Sequence, residues 1–239
     1  MKKIILDLDT GIDDTLAMSY VLASEDAELI GITGTYGNVL LETGVANDLN
    51  LLSMFGREDI PVFKGVPHPS NATNFEVPSS SGIFHGKNGT GNVDIPTCST
   101  RKVEETSAVD FIIDCARKYG KDELVYVPTG PSTNIDAAFA KAPDIIDNIT
   151  IVMMGGSLTQ PGNCNPFMEA NISMDPEASN RLFATSADIT MIGLDVTMQA
   201  LLTKKETQQL RDTGTKAGAF LADMTDYYID ISEQEDPAF

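Results

Sequence analysis

Short apolar runs rich in β-branched residues alternate along the chain with segments whose apolar positions recur at helical spacing. The runs near residues 3–8, 29–35, 123–127, 149–154 and 188–194 read as strands. Helices are predicted near 13–24, 43–55, 104–119, 132–141, 175–186 and 203–230, the last interrupted by Gly214 and Gly218. Strand and helix in alternation argue for an α/β fold, an open, mostly parallel central sheet with helices on both faces. No internal repeat or low-complexity tract breaks the pattern.

Each strand runs into a polar or glycine-rich segment: Asp7-Leu8-Asp9, Thr35-Tyr36-Gly37-Asn38, Pro128-Thr129-Gly130, Gly155-Gly156 and Asp195-Val196-Thr197. Open α/β sheets bind ligands outside the carboxyl ends of their strands, so these segments predict one functional rim. Two further stretches read as long loops. Residues 65–101 are rich in Gly, Pro, Ser and Asn, which fits either a lid or a flexible surface insertion; Gly155 to Asn171 gathers Asn163, Glu169 and Asn171.

Composition narrows the function classes. The 239 residues, 42% hydrophobic, suffice for a sizeable core. A formal net charge of −19 repels phosphate backbones and anionic lipid alike, so neither nucleic acid nor membrane is expected as a partner. Cys98, Cys115 and Cys164 form neither a CxxC pair nor a disulfide framework, and no secretory or membrane-spanning run opens the chain. A cytoplasmic location is the expectation.

The stretch "DLDTGIDD" places four carboxylates, Asp7, Asp9, Asp13 and Asp14, within eight residues. An EF-hand loop counted from Asp7 needs glycine sixth and an acid twelfth, where the chain has Ile12 and Met18. Haloacid dehalogenase phosphatases also use DxDx followed by Thr or Val after a first strand, with the first Asp as nucleophile, but the fifth residue here is Gly11. A third reading is an oxygen-rich divalent-cation site at a strand-to-helix turn, with Asp9 and Asp14 converging on one ion. Capping of the first helical turn would account for Asp13 and Asp14 alone. It leaves Asp7 and Asp9 at the end of an apolar strand, where unpaired charge is costly.

The whole motif, DxDxGxDD, resembles the N-terminal fingerprint of the inosine–uridine-preferring nucleoside hydrolases. Further segments are similar in the same order: "TGTYGN" with Asn38, "FHGKNGTG" with His85, "VPTGPSTNI" with Thr129, "VMMGG", "EANISMDPEA" and "MIGLDVT". The resemblance implies one Rossmann-like nucleoside hydrolase domain over residues 1–239 and hydrolysis of a ribonucleoside to ribose and free base. It also implies Ca²⁺ as cofactor and a homodimer or homotetramer active in nucleoside catabolism and salvage.

Residue by residue, the resemblance implies Asp9 and Asp14 as calcium ligands through their carboxylates and Thr129 through its backbone carbonyl. Asp9 would also take the proton from the attacking calcium-bound water, which Asn38 borders. Asp13, Asn163, Glu169 and Asn171 would hydrogen-bond the ribose, Met154 would border the sugar, and His85 would form a wall near the base. The chemistry is consistent with these residue types, because clustered carboxylates stabilise an oxocarbenium-like state. Asn163, Glu169 and Asn171 also read as turn or capping residues, His85 as a loop residue, His68 as structural, and Asp195 as a turn former or supporting acid outside the site.

The chain departs from the family pattern at its end. There the family carries an HDP segment, whose Asp is the fourth calcium ligand and whose His is the leaving-group acid in some members; this sequence reads SEQEDPAF. Aligning Asp236-Pro237 with that motif puts Glu235 in the place of the His, and the expectation is that the sequence stops before the segment. Two rival readings remain: a dehalogenase-type phosphatase using Asp7, and a non-catalytic nucleoside binder.

Overall fold

A computed structural model describes residues 1–235; Asp236, the candidate fourth ligand, lies outside the described residues. The sheet has six parallel strands: β1 (Lys2–Leu8), β2 (Ala27–Gly34), β3 (Val62–Lys64), β4 (Leu124–Pro128), β5 (Thr150–Met154) and β6 (Asp188–Ile192). Their order is β3-β2-β1-β4-β5-β6, so the chain winds outward in both directions from the boundary between β1 and β4.

The helices are α1 (Ile12–Ala23), α2 (Leu41–Met54), α3 (Ser79–Phe84), α4 (Ala108–Tyr119), α5 (Thr133–Lys141), α6 (Ala170–Met174), α7 (Pro176–Phe183), α8 (Leu194–Thr197), α9 (Lys204–Asp212) and α10 (Lys216–Glu235). A 3-10 turn covers Pro143–Asn148.

Alternation along β1 sorts the core into two layers. Ile4, Leu6 and Leu8 face one side with Ile12 and Met18 of α1, Val45 and Leu52 of α2, and Phe220 and Met224 of α10. Ile5 faces the other side with Ile112 and Ala116 of α4, Ile135 and Phe139 of α5, and Leu182 of α7. Helices thus cover both faces, which is why the central strands read as continuous apolar runs.

Several boundaries differ from the sequence pattern. β3 is absent from it: three residues after Pro61 are too few to show a period. The first helical residue after the long loop is Ala108 rather than 104, because Ser107 caps it by accepting from the Asp110 N–H. The stretch 188–194 splits at Gly193 into β6 and the short α8. The last helix breaks at Gly214, whose φ is +67°, whereas Gly218 continues within α10. The 65–101 segment is not wholly structureless, since it contains α3. Among the described residues no helix is long and apolar enough to cross a membrane.

Candidate functional site

Register brings the strand ends level. Asp7 pairs with Thr33 on one side and Pro128 on the other, Leu8 O accepts from Thr35 N–H at 2.8 Å, and Asp7 O accepts from Thr129 N–H at 2.9 Å. Asp9, Asn38 and Thr129 therefore leave the sheet together, beside the β1/β4 boundary where the winding direction reverses.

Around Asp9 and Asp14 the chain makes a tight, buried acidic cluster. Asp9 Oδ2 accepts from the Asn38 main-chain N–H at 2.7 Å, and its Oδ1 is buried with no hydrogen-bond partner. Asp14 Oδ2 accepts from Gly11 N–H at 2.6 Å and from the Asn38 side-chain amide at 3.4 Å, while Oδ1 accepts from the Thr129 hydroxyl. Two glycines leave room for Asp9. A Cβ at Gly37 would stand 2.0 Å from Asp9 Oδ2, and one at Gly130 would stand 3.0 Å from Oδ1.

Electrostatically the cluster lacks a counter-charge. Desolvation, and then the charges of Asp14 and Asp13, raise the Asp9 pKa well above the usual carboxylate range. Desolvation, and then the Asp13 charge, push Asp14 up to about 7. Among the described residues no lysine or arginine pairs with either carboxylate. An unpartnered, buried Asp9 oxygen beside a second carboxylate fits a cation. No three His, Cys, Asp or Glu side chains group to hold an ion among the described residues; Asp9 and Asp14 are the two buried carboxylates here.

The remaining candidates join this cluster through hydrogen bonds. The Asn171 amide donates to Thr129 O at 2.8 Å and to Met154 O at 3.2 Å, tying the ends of β4 and β5. Glu169 caps α6: Oε1 accepts from Asn171 N–H, and Oε2 from Gly156 N–H at 2.8 Å and Ile172 N–H at 3.0 Å. Asn163 is exposed and reaches the cluster only by accepting from Ala170 N–H at 2.9 Å. Glu169 and Asn163 thus do the capping and loop-closing work that their residue types also suggested.

His85, at the end of α3, accepts the Ile12 N–H on Nδ1 at 3.2 Å, which assigns its proton to Nε2. Burial lowers its pKa, opposed by the Asp13 charge. Its 3.6 Å approach to the exposed Asp13 is consequently not an ion pair near neutral pH. Tyr228 of α10 lies beside it, 5.5 Å away between ring centroids. No sequence signal singled Tyr228 out, because α10 reads as an ordinary amphipathic helix.

Asp7 is fully buried, with Oδ1 accepting from Thr33 Oγ1 at 2.5 Å and Asn134 Nδ2 at 2.7 Å. A carboxylate enclosed in this way cannot attack a phosphoester, which removes the nucleophile of the phosphatase reading. Asp195 accepts from the main-chain N–H groups of Leu158 and Thr159 and anchors that exposed loop, as a turn former does. His68 bonds only the neighbouring Pro69 carbonyl among the described residues.

Sequence reasoning missed Asp48, a buried acid that accepts from Thr10 Oγ1 at 2.8 Å. The signal was present: Leu41, Val45, Asp48 and Leu52 share one face of α2, and a charge in an apolar stripe is unusual.

Comparison with known proteins gives the family of the chain. The family model described as inosine-uridine preferring nucleoside hydrolase matches residues 4–238. The chain is 37% identical over 235 residues to the "Inosine-uridine preferring nucleoside hydrolase" of Leishmania major, covering 98% of this chain and 73% of that protein. It is also 37% identical to "Probable uridine nucleosidase 2" of Arabidopsis thaliana, covering 96% and 70% respectively. A solved "Purine-Preferring Ribonucleoside Hydrolase from Gardnerella vaginalis" superposes with a TM-score of 0.96 at 60% identity, covering 99% of this chain and 75% of that one. The chain belongs to the inosine-uridine preferring nucleoside hydrolase family and is a hydrolase acting on N-glycosyl compounds.

Proposed function

We propose that the protein hydrolyses the N-glycosidic bond of ribonucleosides at the β1/β4 strand ends in a Ca²⁺-dependent reaction, with Asp9 as general base. The observation that carries this reading is the buried, partnerless Asp9 Oδ1, whose sister oxygen is fixed by Asn38. Asp9, Asp14 and the Thr129 carbonyl would hold the ion. When bound, Ca²⁺ lowers the pKa of water and draws sugar hydroxyls to the strand ends.

The chain supplies the rest. Asp9 removes the proton from the attacking water, and Asn38 borders that water and holds both carboxylates still. The cluster's negative charge stabilises the positive sugar of the transition state. Asp13 and Asn171 hydrogen-bond the ribose, with Met154 alongside, while Glu169 and Asn163 hold the segment that carries Asn171. Asn171 is the best supported of these: it already links the Thr129 carbonyl to Met154. His85, neutral with its proton on Nε2, lines the base side with Tyr228. The free Cys98 and Cys164 side chains are exposed, which suits the reducing cytoplasm.

Free ribose and free phosphate, assayed separately on inosine, uridine and simple phosphoesters with Ca²⁺ present, test the proposal. Ribose from the nucleosides and no phosphate supports it. Phosphate release would favour the phosphatase, and nucleoside binding without ribose would favour a binder.

A further inference from the structure

Thr10, between Asp9 and Gly11, is a fully buried β-branched residue with φ +27°, a backbone conformation such residues avoid. Neighbours on two sides hold it there. Its hydroxyl donates to Asp48 Oδ1 on α2 at 2.8 Å, and a Cβ on Gly44, one turn earlier, would come within 3.4 Å of that hydroxyl. On the other side Gly89, at φ +81°, approaches so closely that a Cβ would meet the Thr10 carbonyl at 2.5 Å. Asp48 makes no other side-chain hydrogen bond among the described residues, and its Oδ2 is buried without a partner. A carboxylate placed in an apolar stripe for one bond to one strained residue calls for an explanation at the site that the residue serves.

We infer that Asp48 is a positioning residue: by bonding Thr10 it holds the turn that sets Asp9 and Asp14 against each other. The inference rests on the calcium reading above. Asp14 closes back onto Gly11 N–H at 2.6 Å, so the direction of that N–H, set by the backbone at Thr10, decides where Asp14 sits relative to Asp9. A strained conformer persists only while its surroundings over-determine it. Without the Asp48 bond Thr10 relaxes towards negative φ, Gly11 swings, and the two carboxylates no longer share one centre.

The test is calorimetric titration of Ca²⁺ alone into metal-free protein, with thermal unfolding in chelator as a separate readout. Thr10→Ser and Thr10→Ala both lose the methyl and differ only in the hydroxyl. Thr10→Ser should bind Ca²⁺ within about threefold of wild type, and Thr10→Ala about tenfold more weakly or worse, the order of the cost of leaving a buried hydrogen-bonding group without its partner. The double variant Thr10→Val/Asp48→Leu removes both polar partners at similar shape, so it keeps its fold and carries the comparison should Thr10→Ala lose its own. It too should bind about tenfold more weakly while melting no lower than wild type. Ca²⁺ affinity in Thr10→Ala or the folded double variant equal to that of Thr10→Ser overturns the inference and leaves a mere core contact. Wild-type protein that takes up no Ca²⁺ overturns the calcium reading, and this inference with it.

Discussion

Asn38 donates its main-chain N–H to Asp9 Oδ2 at 2.7 Å, so the loop after β2 fixes the carboxylate that lies just past β1. The same residue reaches Asp14 Oδ2 at 3.4 Å through its side chain. One oxygen of Asp9 is thereby committed to the fold, and Oδ1 is left without a partner, free for the proposed role of general base. Asp9→Asn should therefore lower kcat for ribose release by about 10²–10⁴-fold, the usual effect of removing a general base. Steady-state kinetics on inosine check this, and a change below tenfold would assign the base elsewhere.

Asp14 sits in the cluster with Oδ1 on the Thr129 hydroxyl and Oδ2 on Gly11. Asp14→Asn keeps the size but removes half of the paired charge. Ca²⁺ affinity should fall by about tenfold or more, read by calorimetry on metal-free protein. An unchanged affinity would remove Asp14 from the ligand set.

Ribonucleosides should be preferred to 2′-deoxynucleosides, since in the proposed reaction the ion and Asp13 would both bond the sugar hydroxyls. A site built to bond a hydroxyl rejects the analogue lacking it by roughly 10⁴-fold. Comparable kcat/KM for uridine and deoxyuridine would contradict that assignment of roles.

The metal-free protein should lose stability as pH rises. Desolvation pushes Asp7 up to about 6, partly offset by hydrogen bonds from Thr33 and Asn134. An acid whose folded pKa exceeds its unfolded one binds more protons when folded between the two values, so its contribution is full below about 4 and is lost as pH passes through about 6. The loss is on the order of 3 kcal/mol at most. Asp7→Asn keeps an acceptor for Thr33 and Asn134 without the ionisation. Its chelator-treated form should show a flatter melting temperature between pH 5 and pH 7 than wild type in otherwise identical buffers; parallel curves would mean that Asp7 does not titrate there.

Much of this was legible in the sequence for identifiable reasons. β1, β2, β4 and β5 are buried on both faces, so they appear as apolar runs, and parallel pairing then carries their polar ends to one rim. The DLDTGIDD motif marked Asp7 and Asp9 because charge at the end of such a strand demands compensation, whereas Asp14 by itself also reads as a helix-capping acid. Contributions made across the chain were less visible. β3 is three residues long and is recognised only through its pairing with β2. Glu169 reads equally as a ribose ligand or a cap, and the structure fills its oxygens with main-chain N–H groups. Asp48 could have been found from its place on the apolar face of α2, but its partner, thirty-eight positions earlier, could not.

The most direct test of Ca²⁺-dependent glycosidic hydrolysis is the rate of ribose release from inosine and uridine by chelator-treated protein before and after Ca²⁺ is restored. The expected result is negligible release without the ion and recovery on its return, with Asp9→Asn failing to recover. Equal release in chelator and in Ca²⁺ would contradict it.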